Sequence, residues 1–310
     1  MTKVDVPAGA VWDVVGIGAA CLDHVCRLPV FPRPDSALSK IRMHGESRMC
    51  GGQTATALAT CARLGLRAKY VGAVGDDDEG RRILGELSAR GIDVSDVCAL
   101  AVPTATATIL IDDSGERLVL WHRDLRLCVP PERLPAAALA AARVVHVDDV
   151  DPVAATEGAR IARQAGVPVT CDIDHITPRT QALLGLVSHP VFAEQVPLDL
   201  TGQTDEGEAL RIIWDRYHVP AVVTLGERGS MGFDGQHLVT VPAFPIDPID
   251  TTGAGDVFRA GFIYGLVQGW PLEQRLRFAN ACAGVSCTRL GAMGGVPALD
   301  EVLALLEARG

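Results

Sequence analysis

Asp250-Thr251-Thr252-Gly253-Ala254-Gly255-Asp256 leads directly into the apolar run Val257-Phe258-Arg259-Ala260-Gly261-Phe262-Ile263-Tyr264-Gly265-Leu266. Val239 to Phe244 upstream reads as a strand and the apolar run as a helix, so the small residues between them form the turn that opens the helix. A helix start carries unpaired N–H donors and a partial positive charge, and glycines let an anion approach the backbone closely. Asp256 is at odds with an anion site unless it takes a proton from a hydroxyl that attacks phosphorus. The plainer alternative is an ordinary turn whose acid only favours the helix dipole.

The totals bound the rest. A chain of 310 residues can bury a sizeable core, as one large α/β domain or as two smaller ones. Residues 1–10 read as an N-terminal tail and 11–310 as the folded body. No apolar run of membrane-spanning length occurs, and Met1 to Ala10 has neither the basic start nor the apolar core of a secretory signal. A cytoplasmic protein with no membrane partner is expected. The nine cysteines include no C-x-x-C pair, which argues against a disulfide framework or a zinc site. A net charge of −10 without a long Lys/Arg cluster makes nucleic acid a poor partner, while leaving room for a local pocket for a small anion.

Along the chain, Val11 to Val15 is a strand ending in Gly16-Ile17-Gly18. This begins a dinucleotide-binding fingerprint, but Cys21 stands at the third glycine position and no helix is expected to follow. Asp23 follows the strand end, where open α/β sheets place ligand contacts; it is otherwise a turn former. Gly51-Gly52 opens a small-residue helix, Thr54 to Leu64, stopped by Gly65. Ala68 to Val74 is a strand, and Asp76 to Asp78 cap the next helix more simply than they hold a metal. Thr104 to Ile111 and Arg117 to Trp121 flank a hairpin turn. Arg123 and Arg126 beyond it are solvated charges or readers of an anionic substrate group. From Arg143 onward strands and helices alternate, which predicts a mainly parallel sheet covered on both faces, with Asp148, Asp172, Asp174 and Glu194 at strand ends. Arg275 to Leu290 reads as a further helix.

Three segments together resemble the ribokinase, or PfkB-type, family of carbohydrate kinases. Residues 250–256 match its D-T-x-G-A-G-D signature without a gap, Gly51-Gly52 precedes a helix ending in Arg-Leu-Gly, and Thr224-Leu225-Gly226-Glu227-Arg228-Gly229 matches T-x-G-x-x-G. The resemblance implies a ribokinase-like α/β fold with a small β lid from roughly 24–50 and 104–124, through which a homodimer would pair. It implies transfer of the γ-phosphoryl group of ATP to a small-sugar hydroxyl. Asp256 would be the catalytic base, and the amides of Gly253, Ala254 and Gly255 the anion hole. Asp23, Gly51, Gly52 and Thr56 would contact the sugar, Thr56 standing where many members have asparagine, with Arg123 as a further substrate contact. Thr224, Gly226 and Gly229 would bind the nucleotide phosphates and Asn280 would line the adenine pocket. Mg2+ would bridge the phosphates, with Glu194 replacing the glutamate of an N-x-x-E motif whose asparagine is absent here. Asp250 and the loop 291–297 lie where members hold a monovalent cation such as K+. Residues 171–174 and 287–291 resemble the ketohexokinase and sulfofructose kinase members, which favours a ketose or sugar acid. A nucleoside kinase of the same fold, a non-catalytic nucleotide-binding regulator and a dinucleotide-dependent oxidoreductase are the alternatives.

Overall fold

The computed structural model describes residues 11–308, so the tail assigned to residues 1–10 lies outside the described residues. In chain order the strands are β1 (Trp12–Ile17), β2 (Cys21–Arg27), β3 (Gly45–Gly51), β4 (Ala68–Val71), β5 (Ala73–Gly75), β6 (Cys98–Leu100), β7 (Thr106–Ile111), β8 (Arg117–His122), β9 (Ala142–Asp148), β10 (Val169–Ile173), β11 (His189–Phe192), β12 (Ala221–Thr224), β13 (Ser230–Phe233) and β14 (Leu238–Val241). The α-helices are α1 (Gln53–Arg63), α2 (Asp78–Ala89), α3 (Ala136–Ala140), α4 (Pro152–Gln164), α5 (Thr180–Leu184), α6 (Gln195–Thr201), α7 (Glu206–Tyr217), α8 (Ala254–Val267), α9 (Leu272–Ser286) and α10 (Leu299–Ala308).

One sheet of eight strands runs in the order β14-β13-β12-β11-β10-β9-β1-β4. Its strands pair in parallel from β4 to β12, and β13 and β14 add an antiparallel edge. Parallel strands need helical crossovers that cover both faces, so successive side chains must all be apolar. Val15 and Ile17 of β1 point into a core shared with α3 to α7, while Val14 points into a second core shared with α1 and α8. Phe258 and Phe262 of α8 and Leu276 of α9 pack under Val191 and Val222 on that same second face.

A smaller sheet, in the order β3-β2-β7-β8, stands apart from the main one. It includes the hairpin read from residues 104–121, with Asp112 Oδ1 accepting the Ser114 N–H at 2.9 Å in its turn. β3 was not legible as a strand because its first five residues are partly or fully exposed, so pairing with β2 and not burial defines it.

Several boundaries differ from the sequence reading. The expected strand 68–74 breaks at Gly72: a Cβ there would lie 2.1 Å from the Tyr70 hydroxyl, which donates to the Gly18 carbonyl. The chain therefore leaves the main sheet after β4, and β5 pairs with β6. The strand upstream of the 250–256 turn ends at Val241, since Pro242 has no N–H to donate and Asn280 Nδ2 takes the carbonyls of Val241 and Pro242. α9 begins at Leu272, immediately after Pro271, and stops at Ser286. β1 is followed by β2 and not by a helix, which removes the dinucleotide fingerprint. No helix among the described residues is long and apolar enough to cross a membrane.

Candidate active site

Strand order reverses at β1: the chain first moves outward to β4, then returns to β9 on the other side. Open parallel sheets bind ligands at the carboxyl ends of the strands beside such a reversal, because the loops there diverge and leave a crevice. A cavity of about 810 Å3 occupies that place. Gly18 to Ala20 line it after β1, Asp149 to Asp151 after β9, Asp174 after β10, Ala193 after β11 and Thr224 at the end of β12. Residues 251–256 form another wall, and Ala107, Ile109, Val119 and Trp121 of the smaller sheet face it.

The 251–256 turn is held by backbone geometry. Gly253 is the residue before α8 and has φ +78°, and a Cβ there would come within 2.7 Å of the Ala292 Cβ. Only glycine fits, and no side chain caps the first amides of the helix. Asp250 anchors the turn: its Oδ1 accepts the Thr252 N–H at 2.8 Å and its Oδ2 the Gly291 N–H at 2.7 Å. From the smaller sheet, Arg117 Nη1 donates to Thr252 Oγ1 at 2.9 Å, tying the two walls together. Asp256 lies in the first turn of α8 and lines the cavity. Burial pushes its carboxyl well above the usual range; Arg259 opposes this, and the carboxylates of Asp174 and Asp148 add to it. Such a group is a stronger base than a free aspartate once ionised, and it stands beside donors suited to an anion.

Other expected residues fall into two groups. Asp23, Gly52, Arg123 and Thr224 line the cavity with the 253–256 turn. Asp23 is buried, which pushes its carboxyl up to about 6 although the Cys21 thiol donates to it at 3.2 Å. Gly51 is not on the cavity wall but gives Asp23 its room, since a Cβ there would meet Asp23 Oδ2 at 2.1 Å. Arg123 lends Nη2 to the Leu127 carbonyl, and Arg126 pairs with Asp124 in solvent.

Thr56 is wholly buried behind the turn and off the cavity wall, with its Cγ2 3.4 Å from where a Gly253 Cβ would sit. Asn280 is likewise off the cavity wall, its Nδ2 committed to the carbonyls of Val241 and Pro242. Gly226 starts a short helical turn outside the wall, and Gly229 packs against the backbone of residues 241–243. Glu194 is exposed and paired with Arg228 at 2.6 Å.

The structure also brings in residues that the motifs did not single out. Gln53, at the start of α1, lines the cavity and donates Nε2 to Asp174 Oδ2 at 3.1 Å. Arg259 is 3 % exposed yet reaches the cavity, paired with Asp172 at 2.6 Å and Asp174 at 3.1 Å. Its signal was a charge three residues after Asp256 in an otherwise apolar helix. Asp148 ties β9 to the β1 loop and α1, accepting from the Ala19 N–H at 2.6 Å and Thr54 Oγ1 at 2.8 Å.

Comparison with known proteins agrees with this geometry. Residues 13–299 match the model of the pfkB family carbohydrate kinases. The ATP-dependent ribose-1-phosphate kinase of Halopiger xanaduensis is 32% identical over 96% of this chain and 98% of its own. The ribokinase of Bacillus subtilis is 30% identical over 83% of this chain and 87% of its own. Among solved structures, Arabidopsis thaliana ribokinase complexed with ribose and ATP superposes with a TM-score of 0.83 at 26% identity, covering 96% of this chain and 99% of that one. The match to the family spans the whole central sheet and both walls of the cavity, and the chain therefore belongs to the pfkB family of carbohydrate kinases, phosphotransferases whose acceptor is a hydroxyl group.

Proposed function

We propose that this kinase transfers the γ-phosphoryl group of ATP to a hydroxyl of a small sugar, a ketose or sugar acid. The observation that carries the reading is Asp256 in the first turn of an uncapped helix, facing the cavity at the strand reversal. An acceptor hydroxyl held by Asp23 and Gly52 would present its proton to the Asp256 carboxylate. The amides of Gly253 to Gly255 would face the charge gathering on the transferred group, where removal of one such donor typically costs about a hundredfold or more in rate. Thr224 at the end of β12 lies on the nucleotide side. The smaller sheet, tied to the turn through Arg117, acts as a lid that keeps water from the phosphoryl group.

Mg2+ would accompany the nucleotide and supply positive charge against that of its phosphates. No group of three or more acidic, histidine or cysteine side chains among the described residues is arranged to hold a metal. The cavity suits a cation that arrives on phosphate and keeps its water, with Glu194 reaching it only through water. A monovalent cation would sit by Asp250, whose carboxylate already joins the turn to the 291 loop. β8 is exposed at every residue and carries Leu118, Val119, Leu120 and Trp121, which supports pairing with a second copy through the lid.

A nucleoside acceptor is the second reading, favoured by the apolar wall of Ala107, Ile109, Val119 and Trp121, which suits a base better than a bare sugar. A nucleoside kinase of Methanothermobacter thermautotrophicus, 26% identical over 96% of this chain, adds to it. ADP release from Mg-ATP across fructose, sulfofructose, ribose, 2-keto-3-deoxygluconate and adenosine, beside an Asp256→Asn control, separates the two. Turnover with a sugar that vanishes in the control supports the first reading, and turnover with adenosine alone the second. ATP binding without turnover on any acceptor would sink both in favour of a regulator.

A further inference from the structure

Arg259 is a buried cation in α8, whose only other charged residue is Asp256. Burying a guanidinium is costly unless it is paired, so its partners show what it is for. One turn along α8 from Asp256, it shares that residue's helix face. Its Nη2 is 2.6 Å from Asp172 Oδ1 and 3.1 Å from Asp174 Oδ1, while its Nε makes no hydrogen bond. Its Nη1 lies 2.5 Å from where a Cβ on Gly255 would stand, so the guanidinium rests against the turn itself. Asp174 is steadied in turn by Gln53.

The charges around Asp256 come from several elements. Arg259 is on its own helix, Asp172 and Asp174 follow from β10, Asp148 from β9, and the Cys21 thiol from the start of β2. Asp174 and Asp148 drive a proton onto Asp256, while Arg259 and a hydrogen bond with Asp172 oppose them. A protonated Asp256 could not accept the hydroxyl proton. We propose that Arg259 is a positioning residue for the base: fixed by Asp172 and Asp174 against Gly255, it supplies the positive charge that favours the ionised form of Asp256 in a site that otherwise favours its protonation. This rests on the kinase reading and assigns the site one more residue for that reaction.

The test follows the carboxylates of the full chain by 13C NMR with labelled aspartate, assigning Asp256 by its loss in Asp256→Asn, together with the pH profile of kcat. Removing the cation in Arg259→Gln should raise the Asp256 midpoint by about one pH unit or more and carry the acid limb of kcat with it. Arg259→Lys, which keeps the charge, should stay nearer the wild type. Asp174→Asn, which removes a neighbouring negative charge from a half-exposed position, should lower the midpoint. An Asp256 midpoint unmoved in Arg259→Gln, even with a reduced kcat, would show Arg259 to be structural and overturn the proposal. Should that variant not fold, an unmoved or raised midpoint in Asp174→Asn overturns it instead. A moving midpoint in a protein that turns over no acceptor would defeat the kinase reading and leave the charge balance standing. Turnover with unmoved midpoints would do the reverse.

Discussion

Two kinds of helix start divide this molecule. α2 and α7 begin after aspartates whose carboxylates take the third free amide, Asp77 from Gly80 and Asp205 from Glu208, each at 2.8 Å. α1 and α8 begin after glycines, Gly52 and Gly253, and have no side-chain cap. A missing cap forgoes about 1 kcal/mol. α3, α5, α6 and α9 lack a side-chain cap as well, and α4 is capped by Asp151 on the cavity wall, but α1 and α8 are the two opened by a glycine and both of those glycines line the cavity. Amides left unpaired at the cavity are amides free to meet an anion. The contrast extends to the acids. Burial opposes ionisation of Asp77, but hydrogen bonds from Thr104 and Gly80 outweigh it and hold the carboxyl below its ordinary range, whereas Asp23 and Asp256 are pushed above theirs.

The largest effect expected from this division is at Asp256. Asp256→Asn should lower kcat about a thousandfold, within the range seen for loss of a general base. It should leave thermal stability equal or higher, because burial, with Asp174 and Asp148, makes ionisation of this carboxyl unfavourable in the folded state and asparagine carries no such cost. A variant that lost stability in step with activity would mean that Asp256 works as a cap after all. Gly253→Ala comes next. The left-handed backbone and the contact with Ala292 should cost ~1–2 kcal/mol. Displacement of the amides should lower kcat by about a hundredfold. Unchanged kcat in a folded Gly253→Ala protein would remove the turn from the reaction.

The pH dependence of stability sharpens the comparison further. Asp23 is raised in the folded state to about 6, so the native protein binds the proton more tightly than the unfolded chain. Its contribution is complete below the unfolded value and is lost as pH rises through the folded one. A rise of about two units corresponds to on the order of 2–3 kcal/mol. Urea unfolding at about pH 4 and about pH 7 should therefore show the wild type losing that much relative to Asp23→Asn. Asp77 has the opposite sign: its carboxyl is lowered, so its contribution is present at neutral pH and fades as pH falls. A parallel pH dependence in wild type and Asp23→Asn would show that Asp23 is solvated.

Much of this was legible in the sequence, for stated reasons. The 250–256 turn carried its meaning in residue types that backbone geometry demands, and the parallel sheet announced itself through strands apolar on both faces. β3 falls in the 24–50 stretch that the family resemblance gave to the lid, but its own residues do not read as a strand, since an exposed edge strand has no burial pattern to read. Gln53 and Thr56 share a face of α1, and what a motif does not encode is depth: Gln53 in the first turn reaches the wall, while Thr56 one turn further in lies behind Gly253. The partners of Asn280 were not legible, because the carbonyls of Val241 and Pro242 belong to a strand end that Pro242 sets. Arg259 was visible as a lone charge but its partners were not, since Asp172 and Asp174 come from a strand more than eighty residues away.

The smallest effect belongs to the capped helix starts, and it is the control for all the others. Asp205 accepts the Glu208 N–H at 2.8 Å and lies outside the cavity wall. Asp205→Ala should cost about 1 kcal/mol in urea unfolding. It should leave kcat and KM unaltered, and Asp205→Ser should recover most of the loss, because a hydroxyl can take the same amide. A fall in kcat in Asp205→Ala as steep as that in Gly253→Ala would mean that activity here follows stability of the whole sheet, and the separation between bare and capped helix starts would lose its functional content.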